Sequence, residues 1–102
     1  MARSILQDKR ECYICREVYC VKSVWGLEEH HVFGGTRRAL SERYGLKIYL
    51  CRRHHNTPSE FAAHFDPDVR NWLHRRAQRA FVARHGREQW MDVFGKDYDH
   101  EQ

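Results

Sequence analysis

Two pairs of potential metal ligands most constrain what this chain can fold into. Cys12 and Cys15 form a Cys-x-x-Cys pair, and Cys51 and His54 form a Cys-x-x-His pair. A gap of two residues lets one tight turn aim both side chains at the same ion. Together the pairs offer three thiolates and one imidazole, a ligand set typical of closed tetrahedral zinc sites. The sequence therefore predicts a structural zinc that ties the N-terminal turn to the middle of the chain.

Disulfide bonding is the alternative use of the cysteines. The chain has four of them, Cys12, Cys15, Cys20 and Cys51, which is enough for two bridges. The N-terminus lacks the apolar segment of a signal peptide, and no run of about 18 apolar residues is long enough to cross a membrane. We therefore expect a cytoplasmic protein with reduced thiols, in which metal binding is favoured over disulfides. For Cys20, a buried core thiol is favoured over a ligand.

The size of the chain favours a single small domain. With 102 residues, of which 41% are hydrophobic, the chain can bury only a modest core. Domains of this size often add a metal ion as a staple. The formal net charge of +4 is compatible with an anionic partner such as nucleic acid, although many basic proteins bind no such partner.

The pattern of residues along the chain indicates an α+β fold. Residues 18–25 are β-branched and aromatic, and they predict an irregular strand or hairpin. Further strands are predicted over 27–33 and 47–51. A helical turn over 39–44, ended by Gly45, and a short helix over 52–56 flank the last of these strands. Residues 1–11 are polar and mixed in charge, and they predict an ordered lead-in segment or a frayed end.

Two helices are predicted in the last third of the chain. Asp66 and Pro67 have the capping chemistry of a helix start, and Gly86 ends that helix. Its apolar residues recur at helical spacing and predict one buried face: Val69, Trp72, Leu73, Ala77, Ala80 and Phe81. Four arginines lie largely off this face, where exposure to solvent is favoured over a phosphate-binding stripe: Arg70, Arg75, Arg79 and Arg84. A second helix is predicted over 87–94, with a loose acidic tail after Tyr98.

Two pairs of adjacent histidines are the candidates for catalysis. His30 and His31 lie just before a pair of glycines, and His55 directly follows the predicted zinc ligand His54. An imidazole has a reference pKa of about 6.5, so it can accept a proton from water near neutral pH. A lone histidine is more often a surface or core residue. Histidines from two segments, one of them overlapping a zinc half-site, favour a catalytic site instead.

These motifs resemble those of the HNH endonucleases, which have the ββα-metal fold. The resemblance rests on the Cys-x-x-Cys, on Glu-His-His-Val-Phe-Gly-Gly at 29–35 and on Tyr-Leu-Cys-x-x-His-His-Asn at 49–56. Small phage and prophage HNH proteins are the most similar kind, and their tails resemble residues 75–98. The resemblance implies one domain over 1–102. In it, a zinc-stapled ββα-metal core at 12–65 is followed by a C-terminal helical extension at 66–98.

The resemblance also implies roles for individual residues. His30 and His55 would be ligands of a catalytic metal, and His31 would be the general base that activates water. His64 is a candidate for a further ligand, with a plain surface histidine as the alternative. The implied reaction is one-metal hydrolysis of DNA with little sequence preference, using Mg²⁺, Mn²⁺, Ni²⁺ or Zn²⁺. Flanking arginines would hold the DNA phosphates: Arg37, Arg38, Arg52 and Arg53.

The chain departs from the family pattern in one respect. HNH proteins usually carry an asparagine shortly before the Leu-Cys strand, where it helps to orient the base, and residues 44–49 contain none. A backbone carbonyl or a side chain such as Tyr49 would then orient His31. Two other functions therefore stay open: a catalytically decayed, zinc-stapled nucleic-acid-binding module, and a zinc domain that binds only protein. Phage packaging or recombination proteins are further candidate partners.

Overall fold

The computed structural model describes residues 3–55, 63 and 66–99. In chain order its elements are α1 (Tyr13–Tyr19), β1 (Glu28–His31), a 3-10 turn (Gly35–Arg37), α2 (Arg38–Tyr44), β2 (Lys47–Leu50), α3 (Arg52–His55), α4 (Pro67–His85) and α5 (Arg87–Phe94). A two-stranded antiparallel sheet surrounded by helices confirms the predicted α+β class. Within the described ranges, no helix has the length and apolarity needed to span a bilayer.

The sheet presents two chemically different faces. β1 and β2 pair antiparallel in a register that sets His30 opposite Ile48 and His31 opposite Lys47. Because successive side chains of a strand alternate between faces, His30 and Ile48 share one face, and His31 and Lys47 share the other. Ile48 belongs to the hydrophobic core. We call the face of His30 and Ile48 the inner face, and that of His31 and Lys47 the outer face.

The N-terminal segment is ordered and covers the edge of β2 that β1 leaves open. Tyr49 N–H donates to Gln7 Oε1 at 2.6 Å, and Ser4 Oγ donates to the carbonyl of Lys47 at 2.5 Å. Ile5 N–H donates to the carbonyl of Gly45 at 2.9 Å. These bonds satisfy polar backbone groups that an uncovered strand edge would leave exposed. Residues 3–11 therefore form the ordered alternative of the two that the sequence predicted, and in addition they cover a strand edge.

The strand predicted over residues 18–25 is wrong. α1 begins after Cys12, whose Sγ accepts from Cys15 N–H at 3.4 Å, and ends at Cys20 with a left-handed φ of 56°. These caps satisfy backbone groups at both helix ends, whereas β-branched composition is a weak signal on its own. Cys20 is exposed and is not the buried core thiol that was predicted. Trp25, in the loop that follows, is 87% exposed.

The two C-terminal helices begin and end where the sequence predicts. Asp66 caps α4 by accepting from Asp68 N–H at 3.0 Å, and Gly86 separates the helices. The buried side of α4 carries Val69, Leu73, Ala77, Gln78 and Phe81, while Trp72 and Ala80 are only half-buried. Phe33, just after β1, packs on Trp90 and Phe94 of α5, with ring centroids 5.7 and 4.9 Å apart. One continuous core therefore joins the sheet to the C-terminal helices.

The tail after α5 is held against α4 at least as far as Asp99. Of the loose tail that the sequence predicted after Tyr98, only Asp99 lies within the described residues. Arg79 forms an ion pair with Asp99 at 2.9 Å. Gln78 Nε2 donates to Asp97 at 2.8 Å, and Arg87 pairs with the same carboxylate at 2.9 Å. The hydrogen bond from Gln78 has the larger effect, and together with the contact to Arg87 it lowers the pKa of Asp97 to about 2.

Candidate metal centre and paired histidines

The four predicted zinc ligands converge on one point. Cys12 and Cys15 come from the start of α1, Cys51 from the end of β2 and His54 from α3, and their ligand atoms all lie within 4.8 Å of one another. His54 Nδ1 is 3.3 Å from Cys51 Sγ, 3.4 Å from Cys15 Sγ and 3.6 Å from Cys12 Sγ. A tetrahedral zinc with bonds of about 2.3 Å to sulfur and about 2.0 Å to nitrogen separates its ligands by roughly 3.5–3.8 Å. The geometry therefore fits a structural zinc.

The electrostatics of this group also suit a cation. Burial raises the pKa of Cys12, and burial together with the Cys12 side chain raises the pKa of Cys15 to about 12. Burial, with the nearby charge of Arg53, lowers the pKa of His54, so this imidazole is neutral, as a metal ligand must be. A divalent cation would stabilise the thiolates that burial alone disfavours.

The His54 ring is fixed by packing and by its own backbone. It stacks on Tyr19, with ring centroids 5.8 Å apart and an interplanar angle of 15°. The backbone N–H of His54 donates to the carbonyl of Cys51, and the backbone carbonyl of His54 accepts from Ala63 N–H at 2.7 Å. Nε2 is buried, and within the described part of the chain it has no hydrogen-bond partner. The ring thus directs Nδ1 at the cysteines without the outer polar contact that zinc-bound histidines usually make.

His30 and His55 meet beside the metal centre. Their rings contact edge to face, with centroids 5.1 Å apart. His55 Nδ1 also lies 3.3 Å from Glu28 Oε1, and His30 is only 8% exposed. His55 directly follows the predicted zinc ligand His54, so closing the metal centre would also fix α3 beside β1. Two of the three histidines predicted for a catalytic metal are therefore brought together, whereas His64 lies outside the described residues.

His31 points away from this pair, on the outer face. Its Nε2 lies 2.8 Å from Glu42 Oε2 and 3.9 Å from Glu29 Oε1. Lys47 Nζ lies between the same carboxylates, 3.0 Å from Glu42 and 3.6 Å from Glu29. Glu29, His31 and Glu42 are spaced closely enough to hold a metal ion, but the Lys47 ammonium already supplies a positive charge there. The structure therefore separates the predicted base from the paired histidines.

Glu42 is the residue beside His31 that the sequence analysis missed. The side chain found against His31 is this carboxylate of α2, where Tyr49 or a backbone carbonyl was expected. The hydrogen bond with His31, followed by that with Lys47, lowers the pKa of Glu42 and keeps the group ionised. One signal could have identified it, because Glu42 is the single acidic residue of the basic stretch 36–55.

The arginines predicted to hold DNA are not equivalent. The guanidinium of Arg37 donates to Tyr98 Oη at 2.6 Å and to the carbonyl of Phe94 at 3.3 Å, so it ties the tail to the 3-10 turn. Arg38, Arg52 and Arg53 are exposed. On α4, Arg70, Arg79 and Arg84 are exposed and Arg75 is half-buried.

Comparisons of the chain with protein-family models, with curated proteins and with solved structures found no match. Fold and site together define a class: a small α+β domain with a Cys₃His group that could bind a structural zinc.

Proposed function

We propose that this chain is a metal-dependent endonuclease of the HNH type that hydrolyses DNA phosphodiester bonds with little sequence preference. The observation that carries the proposal is the contact between His30 and His55, with ring centroids 5.1 Å apart. The two imidazoles come from β1 and from the helix after β2, which is the arrangement that the ββα-metal resemblance implies. Paired imidazoles with a carboxylate nearby are suitable ligands for a divalent transition metal.

The residues present favour some metals over others. Two imidazoles suit Mn²⁺, Ni²⁺ or Zn²⁺ better than Mg²⁺, which prefers oxygen ligands. Glu28, 3.3 Å from His55 Nδ1, would orient the His55 ring, because among the described residues its carboxylate does not lie close enough to both imidazoles to share one ion with them. The metal, when bound, would offset the negative charge that develops on the scissile phosphate.

His31 keeps the role of general base in this proposal. If Nε2–H donates to Glu42, Nδ1 is the nitrogen that accepts the proton of the attacking water. Glu42 would then replace the family asparagine as the group that orients the imidazole. Because His31 is the last residue of β1, the scissile phosphate would have to lie at the end of this strand, between the two faces.

One observation favours a second candidate function, a zinc-stapled nucleic-acid-binding module without catalysis. His31 hydrogen-bonds Glu42 on the outer face, while His30 and His55 are paired on the inner face. If a bound phosphate does not reach both faces around the end of β1, the base and the metal cannot act on it together, and the chain would bind nucleic acid without cleaving it.

The test is cleavage of supercoiled plasmid by zinc-loaded protein in Mg²⁺, Mn²⁺ or Ni²⁺, compared with His30→Ala, His55→Ala and His31→Ala. We expect metal-dependent cleavage that falls by about 100-fold or more in each variant. The matched control is His85→Gln, which changes an exposed histidine at the end of α4. Each variant should keep its structural zinc, and His30→Ala and His55→Ala should lose a second bound Mn²⁺.

Two results would decide against catalysis at this site. Equal cleavage by the wild type and all three histidine variants would identify a contaminating nuclease. Binding of DNA without cleavage in any of the metals, by protein that holds its zinc, would establish the binding module instead.

A further inference from the structure

A groove lies on the outer face of the sheet, between the N-terminal segment and β2. Its volume is about 920 Å³, and Tyr49 is part of its lining. Its charged lining is mostly basic, with Asp8 and Glu29 against five cations: Arg3, Lys9, Arg10, Lys47 and Arg84. None of these residues belongs to the Cys₃His group or to the His30–His55 pair.

The positive charge of the groove is largely uncompensated. Outside the groove, Arg16, Arg76, Arg79 and Arg87 each pair with a carboxylate, whereas Arg38 and Arg52 form no ion pair with a described carboxylate. In the groove, Lys47 is paired with Glu29 and Glu42, but the other four cations form no ion pair with any carboxylate of the described residues. Clustered, unpaired cations in a concave surface attract and concentrate anions.

Tyr49 gives the groove an aromatic surface. The guanidinium of Arg10 lies over its ring, 5.1 Å from the centroid. The backbone N–H of Tyr49 donates to Gln7 Oε1 at 2.6 Å, so this hydrogen bond fixes the position of Tyr49 in β2. Aromatic rings and guanidinium planes are the surfaces on which unpaired nucleic-acid bases stack.

The groove is continuous with the His31–Glu42 pair. Glu29 and Lys47 both line the groove. Glu29 Oε1 lies 3.9 Å from His31 Nε2, and Lys47 Nζ lies 3.0 Å from Glu42 Oε1. A polymer that follows the groove therefore passes directly beside the predicted base.

We infer that this groove binds a single strand of nucleic acid. Arg3, Lys9, Arg10 and Arg84 contact the phosphates, and a base stacks on the face of the Tyr49 ring opposite the Arg10 guanidinium. A single strand fits better than a duplex, because the faces of duplex bases are covered by their neighbours and cannot reach a recessed ring. The ligand class rests on the proposed function, but the binding itself needs neither a catalytic metal nor cleavage.

The test measures binding without catalysis. Fluorescence anisotropy of a labelled single-stranded oligonucleotide is followed from about 50 to 200 mM salt, with zinc-loaded protein and no added divalent metal. The groove variant carries Arg3→Ala, Arg10→Ala and Arg84→Ala. The matched control carries Lys22→Ala, Arg43→Ala and Arg75→Ala, which removes the same charge from positions outside the groove lining.

For the groove variant we expect binding about tenfold weaker or more, and a slope of log affinity against log salt that is shallower by about two, since each lost phosphate contact removes about 0.7. The control should bind like the wild type. Tyr49→Leu should weaken single-strand binding by about tenfold at unchanged salt slope, because stacking contributes roughly 1–3 kcal/mol per base.

The inference is overturned if the groove variant and the control bind alike. It is also overturned if a duplex of the same sequence binds as tightly as the single strand and Tyr49→Leu changes neither. Failure of the nuclease proposal is recognised separately: a protein that binds single strands through the groove yet cleaves no plasmid in any metal keeps this inference and loses only the proposed catalysis.

Discussion

At the scale of single residues, the cysteines show how position decides the role of a side chain. Cys51 lies 3.3 Å from His54 Nδ1 and 3.9 Å from Cys15 Sγ, whereas Cys20 is exposed at the end of α1. We expect Cys51→Ser to lose the bound zinc and about 3 kcal/mol or more of unfolding free energy, because zinc binding and folding are coupled in such sites. Cys20→Ser should change stability by no more than about 0.5 kcal/mol.

Zinc content by metal analysis and urea unfolding of the two cysteine variants check this expectation together. Retention of a full equivalent of zinc by Cys51→Ser, at wild-type stability, would show that the Cys₃His group does not bind the metal.

Single residues also differ in how far their role in the site could be predicted from the sequence. The Cys₃His group was predictable, because each half-site is a local spacing and two half-sites with matching chemistry need only be brought together. The partner of His31 was not, because it depends on which sheet face the side chain takes and on where α2 packs. Neither the pairing with Glu42 nor the separation of His31 from His30 leaves a local pattern.

At the scale of secondary-structure elements, Gly45 joins α2, β2 and the N-terminal segment. Its φ is +72°, and a Cβ there would collide with the backbone carbonyl of Arg3. Gly35 has a similar φ of +57° but nothing within 4 Å, and Gly34 has neither constraint. We therefore expect a graded series of stability losses: Gly34→Ala near zero, Gly35→Ala about 1 kcal/mol, and Gly45→Ala about 2 kcal/mol or more.

Urea unfolding of the three glycine variants separates backbone strain from the steric clash. If Gly45→Ala cost no more than Gly35→Ala, the N-terminal segment would not be packed on this turn, and the groove beside it would lack one wall.

Element boundaries were predictable where caps are local in sequence, as for α4 and α5. α4 begins with the capping side chain of Asp66 and with Pro67 in its first turn, and it ends at Gly86. α5 ends at Gly95. α1 was not predicted: the sequence indicated a tight turn at 12–15 and a strand over 18–25. The N-cap of this helix is Cys12, a predicted metal ligand, and its C-cap is a cysteine in the left-handed region. Neither residue is a typical helix signal, so tertiary context overrode the composition of residues 18–25.

At the scale of the whole molecule, the metal centre and the C-terminal helices share one core. Cys12 and Leu50 near the metal centre belong to the same buried cluster as Phe81 and Trp90 in α4 and α5. A 102-residue chain buries too little apolar surface to leave a large margin of stability. The zinc is therefore expected to hold together elements that do not touch it.

We predict that removal of zinc by a chelator unfolds the C-terminal helices together with the metal centre. Loss of about 5 kcal/mol of binding free energy corresponds to a fall in Tm of roughly 20 °C or more for a domain of this size. Trp90 is fully buried and packs on Phe94 with ring centroids 4.1 Å apart, so in a Trp25→Phe, Trp72→Phe background the tryptophan near-ultraviolet dichroism reports on the packing of α5. This signal and the far-ultraviolet helix signal should disappear together on chelation and return together on addition of zinc. Persistence of the Trp90 signal in metal-free protein would instead mean that α4 and α5 fold independently and that the zinc stabilises only the segment from α1 to α3.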